Sequence, residues 1–191
     1  MKKMIYFGVI LALTMCVSNG FAQDTMNSDS KMQSSSKKNS DSKFMMMAAT
    51  SDMNEITLSN QALSKSSNED VKKLAQMMVD DHTKASEELK PIAMSKSVML
   101  PTDADAKHKS ALEKMSGMSG TEFDMAYLKM MVKDHEKAVS MFQKEANNGK
   151  DAEAKAFAAK TLPVLQGHLD MSRSMMTKMM GNKSDNKMSG M

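Results

Sequence analysis

A nine-residue repeat carries two of the four histidines in the chain. Residues 77–85 read Met-Met-Val-Asp-Asp-His-Thr-Lys-Ala, and residues 130–138 read Met-Met-Val-Lys-Asp-His-Glu-Lys-Ala. Seven of the nine positions agree, and each copy contains an Asp-His pair, Asp81-His82 or Asp134-His135. Imidazoles next to carboxylates are used both for metal binding and for buried hydrogen-bond networks, so the repeat is the first place to look for chemistry.

Three histidines are predicted to meet at one level of the fold. His82, His135 and His168 each continue an apolar seam with alternating four- and three-residue steps, the pattern of a helix packed along its length. Each lies near the middle of its predicted helix, and Glu55 lies near the middle of the remaining helix. Three imidazoles and one carboxylate suit a divalent first-row transition metal if the three nitrogens lie within roughly 3–4 Å of one another.

Asp81 and Asp134 are predicted to support this layer from outside. Each points about 100° away from its neighbouring histidine, so it cannot bind the same ion but could orient an imidazole on the adjacent helix. The same residues allow a second interpretation, in which a buried His–Asp–Glu hydrogen-bond network specifies packing and binds no metal. His108, in the middle connection, is expected to be exposed.

Other kinds of catalytic site lack their residues. A ferritin-type di-iron centre needs Glu three residues before His on two helices, and those positions hold Val79, Val132 and Leu165. Cys16 is the only cysteine and falls in a predicted signal peptide, and no serine nucleophile elbow is visible. No catalytic residue is therefore predicted, and an enzyme is the less favoured interpretation.

Methionine is unusually abundant, with 26 residues, while Trp is absent. Thioethers are soft ligands that suit Cu(I), so a methionine-based copper-binding protein is a further alternative. Core filling is favoured, because flexible methionines commonly fill gaps between helices. The methionines concerned lie near the two ends of the helical part and in the tail: Met45, Met46, Met47, Met175, Met176, Met179, Met180, Met188 and Met191.

Helical patterns occupy the chain between residues 44 and 181. The predicted long helices span residues 44–64, 66–94, 121–147 and 151–180, and a short extra helix spans 104–114. Short links make the first two and the last two long helices antiparallel pairs, whereas the middle connection is long. No alternating Val-, Ile- and Thr-rich run predicts a strand. The predicted fold is an all-α, ferritin-like four-helix bundle with one long crossover connection carrying the short extra helix.

The two ends of the chain differ from the helical part. Residues 1–22 combine a basic start, an apolar run and small residues before Gln23, the pattern of a cleaved signal peptide. The mature protein is therefore expected to be exported, periplasmic or extracellular. An outer-membrane lipoprotein processed at Cys16 is the minor alternative. Residues 23–43 and 182–191 have few large aliphatic side chains and are predicted to form a disordered linker and a disordered tail.

Charge and hydropathy exclude some partners. The formal net charge is only +3, and no basic stripe interleaved with aromatic residues is present, so nucleic-acid binding is not expected. No segment of the mature chain is apolar over the length that a transmembrane helix needs. The sequence does not predict a protein partner.

Several motifs together resemble the family named domain of unknown function 4142. They are spread over roughly residues 45–178 and comprise Glu55, Met77-Met78-Val79-Asp80-Asp81-His82, Leu100-Pro101, Phe123-Asp124, Tyr127-Leu128, Met131-Val132, Asp134-His135, Phe157-Ala158, Leu162-Pro163 and His168-Leu169. The resemblance implies an exported bacterial protein with a ferritin-like helical bundle and implies no particular activity. Residues 123–141 are also similar to the His-rich helix of domain of unknown function 305, often linked with metal. That helix tends to carry two histidines where this chain has His135 alone.

The main hypothesis from the sequence is an exported helical-bundle protein that binds a transition metal through Glu55, His82, His135 and His168. One alternative is a non-enzymatic structural or stress-related module whose His–Asp layer is a packing network. The other is the methionine-based copper-binding protein.

Overall fold

The structure, a computed structural model, describes the backbone of residues 28–188 and the side chains of residues 40–181. All regular structure in this part of the chain is α-helical, which confirms the predicted all-α class. The five helices are α1 (Ser28–Lys65), α2 (Glu69–Ser95), α3 (Ala106–Ser116), α4 (Gly120–Asn148) and α5 (Ala152–Met188). None of these described helices has the length and hydropathy needed to cross a bilayer. The predicted signal peptide lies outside the described residues.

Polar side chains bind the free backbone N–H groups where two of the helices begin. The Asn68 side chain accepts hydrogen bonds from the N–H groups of Asp70 and Val71 at the start of α2. Asp105 accepts one from the N–H of His108 at the start of α3. A cap of this kind stabilises a helix by about 1 kcal/mol, so these residues help to fix where α2 and α3 begin.

The first and last helices are longer than the sequence predicts. α1 begins at Ser28 and not at residue 44, and α5 continues to Met188 past the predicted end at residue 180. Asp41 is buried, and its carboxylate accepts hydrogen bonds from the backbone N–H groups of Lys150 and Asp151, just before α5. Composition cannot reveal such a tertiary contact. Within the part whose side chains are described, the packed fold therefore begins before residue 44, at least as early as Asp41.

Two apolar clusters fill the space between the four long helices. The first is here called the Phe cluster because three phenylalanine rings pack in it, and Phe44 and Phe142 lie edge to face with ring centroids 5.0 Å apart. Its buried members are Phe44, Met45, Ala48, Ala49, Leu89, Ala93, Ala138, Phe142, Ala154, Phe157, Ala158 and Leu165. The second is here called the Met cluster, and its buried members are Leu58, Ala62, Val71, Leu74, Ala75, Met78, Met115, Phe123, Tyr127, Leu128 and Met131.

Each long helix contributes to both clusters, α5 to the Met cluster through the half-buried Met175, Met176 and Met179, and the order of the contributions gives the direction of each helix. Along the chain, α1 and α5 reach the Phe cluster first, whereas α2 and α4 reach the Met cluster first. α1 contacts α2 and α4, and α5 contacts the same two helices, so contacting helices run antiparallel. α2 and α4 run in the same direction, and the connection between them, which contains α3, must return along the length of the helices.

A polar layer separates the two clusters. Asp52 and Glu55 on α1, His82 on α2, His135 on α4 and His168 on α5 all lie between the segments that build the Phe cluster and the Met cluster. All five are at most 3% exposed. Buried polar groups are costly unless they are hydrogen-bonded, so the partners of these side chains determine what the layer can do.

A candidate metal site of three histidines

The structure brings His82, His135 and His168 together in the polar layer. The ring centroids are 5.5 Å apart for His82–His135, 5.5 Å for His82–His168 and 5.3 Å for His135–His168. One nitrogen from each ring lies within 4.8 Å of the other two. The seam positions at the middle of three helices therefore converge, as the sequence predicts, and we call these residues the triad.

His82 is held by a buried carboxylate on the neighbouring helix. Its Nδ1 lies 2.9 Å from Asp52 Oδ1, and the hydroxyl of Ser86 donates to Asp52 Oδ2 over 3.1 Å. A carboxylate only accepts hydrogen bonds, so Nδ1 of His82 carries the proton and Nε2 carries a lone pair. That Nε2 is buried and has no hydrogen-bond partner.

His135 is held by its own helix. Its Nδ1 lies 2.9 Å from the carbonyl oxygen of Met131, one turn earlier in α4. A carbonyl oxygen accepts, so Nδ1 is the protonated nitrogen and Nε2 bears the lone pair. This Nε2 lies 3.3 Å from Nδ1 of His168.

His168 completes the triad from α5. Its Nε2 lies 2.9 Å from Asp81 Oδ2 on α2, which leaves Nδ1 as the nitrogen with the lone pair. Asp81 therefore orients an imidazole on an adjacent helix, the arrangement that the sequence predicts for it. The Asp81 side chain is 41% exposed, in contrast to the buried partners of the other two histidines.

These partners assign one tautomer to each ring, with the lone pair facing the other two rings. Nε2 of His135 and Nδ1 of His168 then face each other without a proton between them. Burial, together with the neighbouring His82 and His168, lowers the pKa of His135 from its usual 6.5 to about 3. Burial also lowers the pKa of His168, although its hydrogen bond to Asp81 opposes that effect. Both shifts disfavour protonation of His135 and His168, which keeps the lone pairs of these two rings available.

Glu55 lies beside the triad and is not part of it. Its Oε1 is 3.8 Å from Nδ1 of His135, the nitrogen already bound to Met131, and its Oε2 is buried without a hydrogen-bond partner. Burial raises the pKa of Glu55 well above its usual value, and the nearby carboxylates of Asp134 and Asp52 raise it further. Its carboxyl lies on the outer side of His135, beside a nitrogen that is already hydrogen-bonded, so the geometry does not favour the prediction that Glu55 is a fourth ligand.

Asp134 and His108 differ from the prediction. His108 is buried and not exposed, with Nδ1 2.8 Å from Asp105 Oδ2 and Nε2 3.0 Å from Asp134 Oδ2. Asp134 also accepts a hydrogen bond from Lys137. The carboxylate of the second repeat therefore fastens α3 to α4 and does not orient a ring of the triad. The local pattern could not show this, because it depends on where the connection between α2 and α4 packs.

Asp52 is the residue of the candidate site that sequence reasoning missed. It lies three residues before Glu55, hence on a neighbouring part of the same face of α1. That spacing was the available signal, since it places two carboxylates at the level predicted for the histidines.

The methionines near the two ends of the helical part are divided between core and surface, and Met180 is 46% exposed. Met45 is buried in the Phe cluster, whereas Met46 and Met47 are exposed. Met175, Met176 and Met179 are half-buried against the Met cluster. The side chains of Met188 and Met191 lie outside the described residues. Core filling therefore accounts for Met45, Met175, Met176 and Met179 and not for the exposed members of the set.

Two solved structures resemble this fold. A fragment of a DUF305 protein from Deinococcus radiodurans has a TM-score of 0.65 and 12% sequence identity, covering 73% of this chain and 96% of that one. A structure described as CopM in the Cu(II)-bound form has a TM-score of 0.62 and 18% identity, covering 72% of this chain and 96% of that one. At these identities the likeness concerns the fold alone. No curated protein matches the sequence.

The family itself is identified from the sequence. The sequence model described as "Domain of unknown function (DUF4142)" matches residues 26–175, which include all three histidines of the triad and both copies of the repeat. The chain belongs to the DUF4142 family.

Proposed function

We propose that this protein binds a divalent transition-metal ion, zinc or copper, through Nε2 of His82, Nε2 of His135 and Nδ1 of His168. One observation carries the proposal: each ring donates its other N–H to a fixed partner, so three lone pairs converge in a buried layer. Metal-binding histidines are commonly oriented in this way by a carboxylate or a backbone carbonyl. Imidazole nitrogen suits both zinc and copper.

The distance between His135 and His168 and the neighbouring charges support this ligand set, and the nitrogen of His82 lies within 4.8 Å of the other two. Zinc–nitrogen bonds of about 2.0–2.1 Å in a tetrahedron place two ligand nitrogens about 3.3–3.4 Å apart. His135 Nε2 and His168 Nδ1 are 3.3 Å apart. Asp52 and Asp81 supply two carboxylates behind the histidines, which would balance the charge of a divalent ion. The resemblance to a copper-bound protein is consistent with copper as one of the two candidates.

The remaining features of the proposal concern architecture and location. The contacts and directions of the four long helices support a ferritin-like four-helix bundle with a long crossover that carries α3. The signal-peptide pattern of residues 1–22 supports export to the periplasm or the extracellular space. We assign no catalytic activity and leave Glu55 out of the ligand set.

Metal analysis of variants tests the ligand set. Mature protein freed of metal by a chelator would be incubated with Zn(II) or Cu(II), desalted and analysed for bound metal. We expect one ion per wild-type chain, none in His135→Gln, and a rise in melting temperature with metal in the wild type only. His108→Gln is the matched control, because it alters a buried histidine outside the triad and should retain one ion. Wild type without bound metal, or loss of binding in His108→Gln, would contradict the proposal.

The second candidate function is a packing network without metal. It is favoured by the hydrogen bonds that His82, His135 and His168 already make to protein groups. In this case Asp52→Asn should destabilise the metal-free fold, and Zn(II) or Cu(II) should not change the melting temperature of the wild type.

A further inference from the structure

We propose that the metal ion reaches the triad through the surface between α2 and α5, where Asp81 collects the ion and the turn of α5 from Pro163 to His168 moves to admit it. This inference rests on the proposed function and adds the access route and its gate.

Among the three histidines of the triad, His168 has the hydrogen-bond partner that is most exposed to solvent. The partner of His82 is Asp52, which is 3% exposed, and the partner of His135 is a main-chain carbonyl within α4. The partner of His168 is Asp81, whose side chain is 41% exposed. An exposed carboxylate in contact with a triad histidine can attract a cation from solvent, and it can exchange its hydrogen bond for water at little cost.

The turn of α5 that carries His168 contains two residues that weaken a helix. Pro163 has no N–H, so it cannot donate the usual hydrogen bond to the carbonyl of Ala159. Gly167 directly precedes His168, and glycine lowers helix stability relative to alanine. A Cβ at Gly167 would meet no atom within 4 Å, so packing does not require glycine there. Two features that weaken a helix therefore lie within five residues of the histidine that would have to move.

A competing route exists on the opposite side. A pocket of about 340 Å³ between α1, α3 and α4 is lined by Glu55, which lies next to His135. An ion in that pocket would face Nδ1 of His135, which is bound to a buried carbonyl and points away from the other two rings. An ion at Asp81 also meets the outer nitrogen of a ring, Nε2 of His168. Rotation of that ring, however, breaks only the hydrogen bond to the exposed Asp81, and water can replace it. The route past Asp81 is therefore favoured.

Stopped-flow measurement of Zn(II) association and dissociation tests the route. We expect Asp81→Asn to slow association about tenfold at low ionic strength and to flatten its salt dependence, because a collecting charge is lost. We expect Gly167→Ala to slow association and dissociation alike by about fivefold, the factor given by the helix propensities, with the equilibrium affinity unchanged. Gly181→Ala is the matched control, since it lies in the same helix and its Cβ also meets no atom within 4 Å.

The outcomes separate the route from the site. Zn(II) binding by the wild type with an unchanged association rate in both Gly167→Ala and Asp81→Asn would overturn the route while leaving the site intact. Slowing in Glu55→Gln but not in those two variants would assign access to the α1–α3–α4 pocket instead. Absence of stoichiometric Zn(II) in the wild type, with Cu(II) giving the same result, would remove the site and the route together.

Discussion

The two copies of the Asp-His repeat place their histidines in one layer but direct their aspartates to different parts of the molecule. Asp81, in the first copy, binds His168 of the triad from a half-exposed position on α2. Asp134, in the second copy, is buried and binds His108, which belongs to α3. Nearly identical local sequences therefore serve two purposes, because the helix that packs beside each copy differs.

The histidines of the two copies also differ in what orients them. His82 relies on the side chain of Asp52, whereas His135 relies on the backbone carbonyl of Met131. The first arrangement can be removed by a single substitution, and the second cannot. A side-chain substitution can therefore change the orientation of His82 in the first copy. The ring of His135 in the second copy is held by the backbone of its own helix.

The largest effect is expected on the free energy of unfolding of the protein, from a substitution in the second copy. Asp134→Asn removes the charge of a buried carboxylate that binds His108 and Lys137, and breaking a buried pair costs about 3 kcal/mol. Chemical denaturation of the metal-free protein measures this loss. Asp81→Asn, at a half-exposed position, should cost less than about 1 kcal/mol in the same experiment. Equal losses would mean that the two copies do not differ in structural role.

The converse difference is expected for metal affinity. Asp81→Asn should weaken Zn(II) binding by about tenfold to a hundredfold, because it removes the charge behind a ligand histidine. Asp134→Asn should leave the affinity within about twofold, provided that the variant is folded at the temperature of the titration. A competition titration with a chromophoric chelator measures both. A larger loss in Asp134→Asn would place the second aspartate at the metal site after all.

Acidification should remove the stabilisation from the triad before it removes that from Asp105, whose hydrogen bonds hold the start of α3. The pKa of His135 is lowered from 6.5 to about 3, so the unfolded chain takes up its proton first, and stability present above about pH 6.5 is lost as the pH falls towards 3. Burial raises the pKa of Asp105, but hydrogen bonds from the His108 backbone, Asn54 and the His108 ring outweigh it and hold the pKa at about 2. That contribution is present above the usual value near 3.8 and is lost between about pH 4 and 2.

Denaturation of the metal-free protein between pH 7 and 2, comparing wild type with His135→Gln and Asp105→Asn, would resolve the two windows. We expect His135→Gln to flatten the stability profile above pH 4, and Asp105→Asn to flatten it below pH 4. A wild-type profile without any slope between pH 6 and 4 would contradict the account of the triad.

The smallest effect is expected at the support of the first copy. Ser86→Ala removes the hydroxyl that donates to Asp52 Oδ2 and leaves the bond between Asp52 and His82 in place. One hydrogen bond of this kind contributes about 1 kcal/mol to stability, and metal affinity should fall by no more than a few fold. Thermal unfolding with and without Zn(II) measures both, and a loss of binding as large as that of Asp81→Asn would show that Asp52 needs both of its donors.

The seams of apolar residues predicted the triad because helix periodicity determines which side of a helix faces its neighbours. His82, His135 and His168 all followed that rule. The errors concern residues whose role depends on a distant partner. The residues around His108 predict an exposed side chain, but His108 is buried. Asp41 lies in a polar segment, yet it accepts hydrogen bonds from the backbone just before α5. Periodicity shows on which face of a helix a residue lies, but it does not show which distant part of the chain packs against that face.

The antiparallel arrangement also constrains how the chain acquires its structure during synthesis. The Phe cluster and the Met cluster both draw residues from α1, α2, α4 and α5, so neither half of the sequence can complete one of them alone. When α1 and α2 have left the ribosome, their apolar faces still lack the partners that α4 and α5 provide. Closure of the fold therefore has to wait for the last helix, and until then a chaperone can still hold the early hairpin unfolded.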